Sequence, residues 1–323
     1  MRPPRVVGKS DLTVSPLGLG TSTWGTKTEY DDAVAQMGAY LDAGGNLVDT
    51  ADVYGAGRAE ESIGQMLADG LPRDSLVLAT KSAAVIVEGR PSADASRDHL
   101  LAALDASLIR LRTDHVDLWQ LHAWDRRVPI EETLDAVDTA IASGKVRHAG
   151  VCNYAGWHTA TVAVHQSVKD GPPLVSTQVE YSLVERGIER EVVPAAENHG
   201  LGIFPWAPLG RGVLSGKYRD GVPEKRAAGR FFKWYVGRHL NDRAAGIVET
   251  VASVAGELGV MPVEVSLAWV RDRPGVVAPL VGARTVGQLR ESLAAADLCL
   301  AEEHRRRLDD VSRPYVGYPE TSI

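Results

Sequence analysis

The fold prediction starts from residues 47–55, which read LVDTADVYG. The apolar pair Leu47-Val48 ends in an acid, Asp49, and Tyr54 follows five residues later. Gly55 opens a short turn, after which a helical pattern begins. This order is typical of the carboxyl end of a strand, a tight loop and then a helix. Catalytic side chains collect at that place in α/β barrels, but an ordinary loop with a surface acid and a packed tyrosine has the same pattern.

Units of a strand followed by a helix recur along the whole chain. Apolar runs predict strands at residues 17–20, 47–49, 76–80, 115–121, 146–151, 176–181, 202–206 and 276–281. Helical patterns predict helices near residues 31–43, 59–67, 96–111, 130–143, 190–199, 242–258, 262–272, 286–296 and 302–311, and one that ends near residue 168. Eight such units in series predict an α/β fold, a (β/α)8 TIM barrel in a single domain of residues 1–323. An N-terminal β-hairpin at residues 5–14 and extra C-terminal helices complete the prediction.

Three familiar ligand-binding patterns are absent from the sequence. The rival parallel fold, a doubly wound sheet, usually places G-x-G-x-x-G after its first strand, but residues 18–23 read GLGTST. Residues 210–217 do not form a P-loop pattern, because Arg211 stands where a glycine is needed. No H-E-x-x-H pattern occurs, so no metal site is predicted. The irregular stretch from Trp206 to about Leu240 exceeds ordinary connection length, which predicts a functional loop such as a lid or a ligand clamp.

Composition argues against several classes of function. The chain has 323 residues and a net charge of −7, without a basic block, so nucleic acid and anionic membranes are not expected partners. No apolar run reaches membrane-spanning length, and the first residues lack the apolar core of a secretory signal. The two cysteines, Cys152 and Cys299, cannot form a disulfide framework. We therefore expect a cytoplasmic protein.

Four titratable side chains lie at the ends of three consecutive predicted strands: Asp49 with Tyr54, then Lys81, then His122. Neighbouring strand ends lie close together in a barrel, so these groups can converge on one site. An ammonium beside Tyr54 would lower its pKa from the usual value of about 10. Asp49 would hold Lys81 charged, and His122 could donate a hydrogen bond to a carbonyl oxygen. Each residue alone also fits a structural role, but together they suit protonation of a carbonyl oxygen during reduction.

Several motifs resemble those of the aldo-keto reductase superfamily, and the resemblance extends along essentially the whole chain. The motifs are DTADVYG at residues 49–55, TK at 80–81, DLWQLH at 117–122, GKVR at 144–147, GVCN at 150–153, QVEYS at 178–182, WAPLGRGVLSGKY at 206–218 and LVGAR at 280–284. The later motifs are most similar to the bacterial branch that includes the potassium-channel β subunits. The resemblance implies a hydride-transfer enzyme that uses a nicotinamide dinucleotide, without a Rossmann fold, to reduce an aldehyde or ketone to an alcohol.

The resemblance also assigns catalytic roles to the four strand-end residues. Tyr54 matches the general acid of the family, and Lys81 matches the lysine that lowers the pKa of that acid. Asp49 matches the aspartate that supports the lysine, and His122 matches the histidine that orients the carbonyl group. All four residues of this family tetrad are present in the chain.

The cofactor is expected to lie along a series of matched positions. They are Thr23, Trp24, Asp49, Cys152, Asn153, Gln178, Trp206, Ala207, Pro208, Leu209, Gly210, Arg211, Gly212, Lys217, Gly282, Arg284, Gln288, Glu291 and Ser292. In the family, residues at the positions of Asn153 and Gln178 hydrogen-bond the nicotinamide carboxamide, and the ring at the position of Trp206 stacks under the nicotinamide. The loop that contains Leu209, Arg211 and Lys217 covers the pyrophosphate, and residues 282–292 hold the adenosine end.

Two of these positions depart from the family pattern. Cys152 replaces the serine usually found before Asn153, and Ser292 stands where asparagine is common. Arg284 adds a cation near the start of the last barrel helix, where backbone N–H groups also favour an anion, so we expect NADPH to be preferred over NADH.

Trp24, Tyr54, His122 and Trp124 are the predicted substrate-binding residues, with Trp157 and residues 231–235 as further candidates. These aromatic side chains favour an apolar or ring-bearing carbonyl compound, such as an aldehyde, a sugar-derived ketone or a natural-product ketone. The competing hypothesis is a regulatory subunit that binds the cofactor with little turnover. Against it, the sequence begins directly at the predicted hairpin, without an extension that could plug a pore. The sequence does not decide whether the protein forms a homo-oligomer.

Overall fold

A ring of parallel strands forms the centre of the computed structural model, which describes residues 1–219, 221, 232, 236–315 and 317–318. The strands are β1 (Arg5–Val6), β2 (Thr13–Val14), β3 (Gly18–Gly20), β4 (Leu47–Asp49), β5 (Val77–Ser82), β6 (Ala84–Val87), β7 (Arg90–Ala93), β8 (Val116–Leu121), β9 (Val146–Cys152), β10 (Leu174–Glu180), β11 (Gly202–Trp206) and β12 (Leu280–Val281). Within the described residues, eight parallel strands follow one another in the order β11-β10-β9-β8-β5-β4-β3-β12. A parallel bridge between Ile203 and Val276 brings β11 next to the segment before β12. The predicted (β/α)8 barrel is confirmed.

Helices surround the strands and follow them in sequence. They are α1 (Tyr30–Asp42), α2 (Arg58–Ala68), α3 (Arg97–Leu111), α4 (Ile130–Ala142), α5 (Gly156–Val168), α6 (Val192–His199), α7 (Asp242–Leu258), α8 (Pro262–Arg271), α9 (Val286–Ala294) and α10 (Glu302–Val311). In α1, Ala33, Met37 and Tyr40 face the core at helical spacing. The hydroxyl of Tyr40 lies 2.8 Å from the carbonyl oxygen of Leu17 and accepts a hydrogen bond from the N–H of Leu47 at 3.0 Å, so the buried face of the helix also contacts two neighbouring strands.

The extra helices appear where the sequence predicted them, and one bent pair of them has the length and composition of a membrane segment. Both α7 and α8 lie between β11 and β12, and α10 follows the last barrel helix. Among the described residues, no single helix is long and apolar enough to cross a membrane. By length and composition, α7 and α8 pass such a test only as a pair, bent by 102°.

The N-terminal hairpin closes one end of the barrel. Its strands pair antiparallel, with Arg5 opposite Val14, as the sequence predicted. Val7 and Val14 are fully buried in one apolar cluster with Leu118 and Phe204 of the barrel strands. The hairpin turn also contacts the chain before β11, where the N–H of Lys9 donates to the carbonyl of Gly200. The opposite end of the barrel, where the strands finish, is therefore the end at which a site can open.

Two local features differ from the sequence prediction. The eighth strand was predicted at residues 276–281, but only Leu280–Val281 forms a regular strand. Pro279 has no N–H to donate, which interrupts the ladder before this pair. The connection after β5 contains a second hairpin, β6–β7, that was not predicted. Its two-residue turn, Glu88-Gly89, has positive φ at both positions, as tight hairpin turns require.

Candidate active site

The ammonium of Lys81 connects the residues at the carboxyl ends of two strands. Lys81 lies near the end of β5, and its Nζ donates to Asp49 Oδ2 at 2.6 Å and to the Thr50 carbonyl at 2.7 Å. A third contact, at 3.4 Å, reaches the hydroxyl of Tyr54. Lys81 is fully buried and Asp49 is 3% exposed. The structure therefore places Lys81 in contact with both Asp49 and Tyr54, at the end of the barrel opposite the hairpin.

A tight left-handed turn positions Tyr54. Gly55, Ala56 and Gly57 follow it with φ values of 60°, 58° and 93°. Gly57 is required by close packing as well as by its backbone angle, because an added Cβ would lie 2.8 Å from the side chain of Arg110. The turn ends directly at α2, so the tyrosine is held between the end of β4 and the start of a helix.

His122 lies beside Tyr54, directly after β8, which is the strand paired with β5. Its backbone N–H donates to the carbonyl of Ser82, which continues the pairing of β8 with β5. The imidazole meets the Tyr54 ring edge-on, with 5.9 Å between the ring centroids. Its Nδ1 is buried and has no hydrogen-bond partner among the residues that the structure describes. A buried polar atom without a partner indicates a place where a ligand can supply one.

Burial and charge together set the protonation states of these groups. Burial raises the pKa of Tyr54 to about 12, although the ammonium of Lys81 acts in the opposite direction. Burial disfavours the charge on Lys81, but Asp49 and Tyr54 outweigh it and raise its pKa. Burial and the nearby Lys81 charge lower the pKa of His122 to about 3. At neutral pH the site therefore holds a protonated tyrosine, a charged lysine and a neutral histidine. Lys81 does act to lower the pKa of Tyr54, as the sequence predicted, but burial outweighs it, so the pKa of Tyr54 is raised and not lowered.

A second layer of polar side chains lies against Asp49. Its Oδ1 accepts hydrogen bonds from Gln178 Nε2 at 2.8 Å and from Gln120 Nε2 at 3.4 Å. The two glutamines also meet each other, because Gln178 Nε2 lies 3.3 Å from Gln120 Oε1. Gln178 was predicted from the sequence, but Gln120, which is fully buried inside β8, was not. The available signal was an uncharged polar residue between the apolar residues Trp119 and Leu121 of a strand.

Asn153 links the histidine to the next part of the barrel. It adopts a left-handed conformation, with φ of 60°, directly after β9. Its Nδ2 donates to the carbonyl of His122 at 3.0 Å and approaches Cys152 Sγ at 3.2 Å. Its Oδ1 accepts from the indole N–H of Trp206 at 2.9 Å. Burial raises the pKa of Cys152 to about 12, so this residue is a neutral thiol.

The loop after Trp206 contains several left-handed residues and a 3-10 turn. Positive φ values recur at Ala207, Gly210, Arg211 and Gly212, and the segment Gly210–Ser215 forms a 3-10 turn. Pro208 and Leu209 complete this part of the loop, and the Lys217 Nζ lies 5.2 Å from the centre of the Tyr218 ring. The loop is held by its own backbone hydrogen bonds, from the N–H of Gly210 to the Ala207 carbonyl and from the N–H of Gly212 to the Leu209 carbonyl.

Glu180 at the end of β10 holds this loop by ion pairs. The Arg211 guanidinium donates to both carboxylate oxygens, at 2.9 Å and 2.7 Å, and lies 5.2 Å from the centre of the Trp206 ring. Arg238 and His239, which lie after the turn at Gly210–Ser215 and just before α7, contact the same carboxylate. Arg211 was predicted to cover a pyrophosphate, and in this structure its side chain is engaged by Glu180.

The predicted adenosine-binding residues gather near the end of β12. The hydroxyl of Thr23 donates to the Ala283 carbonyl at 2.9 Å, which joins the end of β3 to this region. Arg284 is exposed, and its backbone N–H donates to Gln288 Oε1 at 3.0 Å. The other predicted positions with exposed side chains or backbone are Gly282, Gln288 and Glu291. Ser292 is buried and donates to the carbonyl of Gln288 within its own helix.

The geometry agrees with the comparison to known families. Residues 16–313 match the model of the aldo/keto reductase family. The chain belongs to the aldo/keto reductase family.

Relatives of this aldo/keto reductase have different names. A Bacillus subtilis protein named as an uncharacterized oxidoreductase is 37% identical, with 94% of each chain covered. An Arabidopsis thaliana protein named "Probable voltage-gated potassium channel subunit beta" is 34% identical, with 90% of each chain covered. A norsolorinic acid reductase of Aspergillus flavus is 28% identical, with 98% of this chain and 84% of the relative covered.

In this aldo/keto reductase the two tryptophans predicted to contact substrate have different environments. Trp24 is fully buried, and its indole N–H donates to Gln36 Oε1 at 3.2 Å, so its side chain lies in the core and not on the open surface of the site. Trp124 is half-buried and stacks on His158, with 4.1 Å between ring centroids. Trp157 lies 5.7 Å from Trp124 and is 60% exposed.

Residues 231–235 were further candidates for contact with the substrate. Within residues 231–235, only Phe232 belongs to the described residues, and its ring meets that of Tyr218 edge-on at 5.7 Å. Residues 231 and 233–235 lie outside the described part of the chain.

Proposed function

We propose that this aldo/keto reductase is an NADPH-dependent oxidoreductase that reduces an aldehyde or ketone to an alcohol, with Tyr54 as the general acid. The observation that carries the proposal is the buried ammonium of Lys81 between the Asp49 carboxylate and the Tyr54 hydroxyl. Membership of the oxidoreductase family supports the reaction class. NADPH and the roles of the individual residues are the proposed parts.

The residues present fit a nicotinamide dinucleotide. Trp206 offers a half-buried aromatic ring whose orientation is fixed by its bond to Asn153. The backbone at residues 207–212 passes repeatedly through left-handed conformations, which form concavities suited to phosphate. Arg284 offers an exposed cation at the far end of this surface, beside the start of α9. When bound, the reduced nicotinamide supplies a hydride.

In the proposed reaction the protein's own residues supply one proton to the carbonyl oxygen. Tyr54 is protonated at neutral pH and donates its hydroxyl proton to the carbonyl oxygen as negative charge develops there. Lys81 lies 3.4 Å from that hydroxyl and stabilises the phenolate that remains. Asp49 keeps Lys81 charged and oriented. His122 is neutral, and its Nδ1, which has no partner within the described part of the chain, orients the carbonyl group.

We propose a carbonyl compound that carries an aromatic or apolar ring as substrate, for example a natural-product or sugar-derived ketone. Trp124 follows His122 by two residues, and together with Tyr154, Trp157 and His158 it forms an aromatic cluster beside the tetrad. Aromatic walls favour planar, weakly polar ligands. Trp24 is left out of this proposed pocket, because its ring is buried in the core.

The experiment that tests this function is NADPH oxidation with a panel of aldehydes and ketones, comparing the wild type with Tyr54→Phe. We expect turnover with at least one carbonyl compound and a loss of about a hundredfold or more in kcat on removal of the hydroxyl. Activity that survives the substitution would rule out Tyr54 as the acid.

A second function is favoured by one observation, the similarity to the named potassium-channel β subunit. In that case the protein would bind NADPH and act as a redox-sensing regulatory subunit. Tight NADPH binding without turnover of any carbonyl compound would support this alternative. For either function, a cytoplasmic location and a homo-oligomeric state of the protein stay predictions.

A further inference from the structure

Glu60 is a fully buried carboxylate that no step of the proposed reaction uses. It lies in the first turn of α2, directly after the left-handed turn that follows Tyr54. Its Oε1 accepts a hydrogen bond from Thr80 Oγ1 at 2.5 Å, and its Oε2 accepts one from Arg110 Nε at 2.7 Å. Thr80 directly precedes Lys81 in β5, and Arg110 belongs to α3. A carboxylate removed from water needs such partners, because an unpaired buried charge is very costly.

The turn that follows Tyr54 needs support from outside itself. Residues 55–57 are left-handed in succession, and Ala56 adopts φ of 58° although it has a Cβ. Among the described residues, the backbone hydrogen bonds of the turn are local: the N–H of Tyr54 donates to the Ala51 carbonyl, and that of Ala56 to the Val53 carbonyl. Strained backbone of this kind persists only where the surrounding structure holds it.

Arg110 lies directly against this turn. A Cβ added at Gly57 would lie 2.8 Å from Arg110 Cδ and 3.0 Å from its Nε. The guanidinium is itself fixed, because Nε donates to Glu60 and Nη2 donates to Ser107 Oγ at 3.1 Å. The side chain of Arg110 therefore forms an anchored surface on which the turn packs.

The contact between Tyr54 and Lys81 is sensitive to the position of this turn. The 3.4 Å between the Tyr54 hydroxyl and Lys81 Nζ is long for a hydrogen bond, so a small outward shift would break it. The backbone ladder reaches only as far as Asp52, whose N–H donates to the Lys81 carbonyl at 3.2 Å. Beyond Asp52, the turn is joined to β5 by the chain of side-chain contacts through Arg110 and Glu60.

We propose that Arg110 is a positioning residue that, with Glu60, holds the hydroxyl of Tyr54 within reach of Lys81. Arg110 acts through Tyr54 and not by contact with the substrate. The inference rests on the proposed function for the role of Tyr54 as the acid. Support of the turn is a property of the fold, and it can be measured without turnover of any carbonyl compound.

The first test is a double-mutant cycle of Arg110→Ala and Tyr54→Phe, in which kcat for carbonyl reduction is measured. We expect Arg110→Ala to lower kcat about tenfold or more in the wild type, because the acid is displaced from Lys81. In the Tyr54→Phe background the same change should cost less than about twofold, because the hydroxyl that Arg110 positions is already absent. Arg110→Lys, which keeps the stem and the charge, should recover most of the activity. A loss that is equal in both backgrounds would show a general loss of structure and overturn the proposal.

The matched control is Arg97→Ala. Arg97 also lies on α3 and pairs with Asp135 of α4 at 2.6 Å, but it is at the opposite end of the helix from Arg110. We expect its loss to leave kcat unchanged in both backgrounds. Arg110→Ala combined with Glu60→Gln removes both charges of the buried pair, so it keeps the test decisive if Arg110→Ala alone does not fold. This double variant should show the same dependence on Tyr54.

Hydrogen exchange of the Tyr54 and Ala56 amides tests the support of the turn without substrate. We expect exchange to be about tenfold faster in the Arg110→Ala variants than in the wild type, and unchanged in Arg97→Ala. Equal exchange rates in the wild type and the Arg110→Ala variants would overturn the proposal. Absence of turnover by the wild type, or undiminished turnover by Tyr54→Phe, would instead contradict the proposed function, and the exchange rates would still decide whether Arg110 holds the turn.

Discussion

Lys81 and Asp49 form a buried ion pair of 2.6 Å at the ends of two adjacent barrel strands. Lys81 is fully buried and Asp49 nearly so, which means that neither charge is solvated by water. Such a pair is costly to bury and very costly to break, because removal of one partner leaves the other charge uncompensated. The contact of the same ammonium with Tyr54 gives this arrangement a chemical purpose, since it places a fixed positive charge beside the proposed acid.

Lys81→Met should therefore damage both stability and activity. We expect the free energy of unfolding to fall by about 3–5 kcal/mol, because Asp49 keeps a buried charge without its partner. We expect kcat for carbonyl reduction to fall by about a thousandfold, because the phenolate of Tyr54 is no longer stabilised. Urea unfolding and steady-state kinetics measure the two effects. The control is Lys81→Met with Asp49→Asn, which should regain part of the stability but none of the activity. Recovery of activity in the double variant would contradict the role of Lys81.

The pH dependence of carbonyl reduction should be flat across the neutral range. Tyr54 has a pKa raised to about 12, so it stays protonated, and able to donate, at every pH below about 11. His122 has a pKa lowered to about 3, so it stays neutral at every pH above about 4. We expect kcat/KM to change by less than about threefold between pH 6 and pH 9. A profile that falls with an apparent pKa near 7 would show that a different group, or a different state of Tyr54, controls the proton.

Arg284→Ala should weaken NADPH binding much more than NADH binding. Arg284 is exposed beside the start of α9, where its guanidinium can pair with the phosphate that distinguishes the two cofactors. We expect the Kd for NADPH to rise about tenfold or more and the Kd for NADH to change less than about threefold. Arg290→Ala is the matched control, because Arg290 is also an exposed arginine of α9. Equal losses for both cofactors would remove Arg284 from the basis of the preference.

The sequence predicted what depends on local pattern. Apolar runs placed the barrel strands, and strand ends placed Asp49, Lys81 and His122 at one end of the barrel. It did not predict that Gln120 reaches Asp49 across the barrel interior, because these residues are 71 positions apart and no periodicity encodes the contact. Nor did it separate Trp24 from Trp124, since burial of a ring at a strand end depends on the helix packed over it.

The β6–β7 hairpin shows a different kind of omission. Its turn signal, Glu88-Gly89, was present in the sequence, but the flanking segments alternate only weakly between apolar and polar residues. The environment of Arg211 also follows from distant contacts, because Glu180 lies 31 residues earlier and Arg238 lies beyond the loop. Motif matching can assign Arg211 to a loop, but it cannot reveal which carboxylate holds its side chain.

Glu180→Gln should loosen the loop after β11 in a manner that depends on pH. Burial opposes the Glu180 charge, but hydrogen bonds from His239, Arg211 and Arg238 outweigh it and lower the pKa to about 2, from an ordinary value of 4.5. A carboxyl group whose pKa is lower in the folded state stabilises the protein above its unfolded pKa, and this contribution is lost as the pH falls toward the folded value. We expect the substitution to cost about 1–3 kcal/mol of unfolding free energy at pH 7.

The cost should shrink as the pH falls from about 5 to about 2, because the Glu180 carboxylate is then protonated in the unfolded state before it is protonated in the folded state, and the variant does not titrate there. Urea unfolding of both proteins across this range measures the difference. Glu249→Gln is the matched control, because Glu249 pairs with Arg219 but is 61% exposed, so its loss should cost less than about 1 kcal/mol. A cost for Glu180→Gln that is the same at pH 3 and pH 7 would mean that the carboxylate charge does not hold the loop.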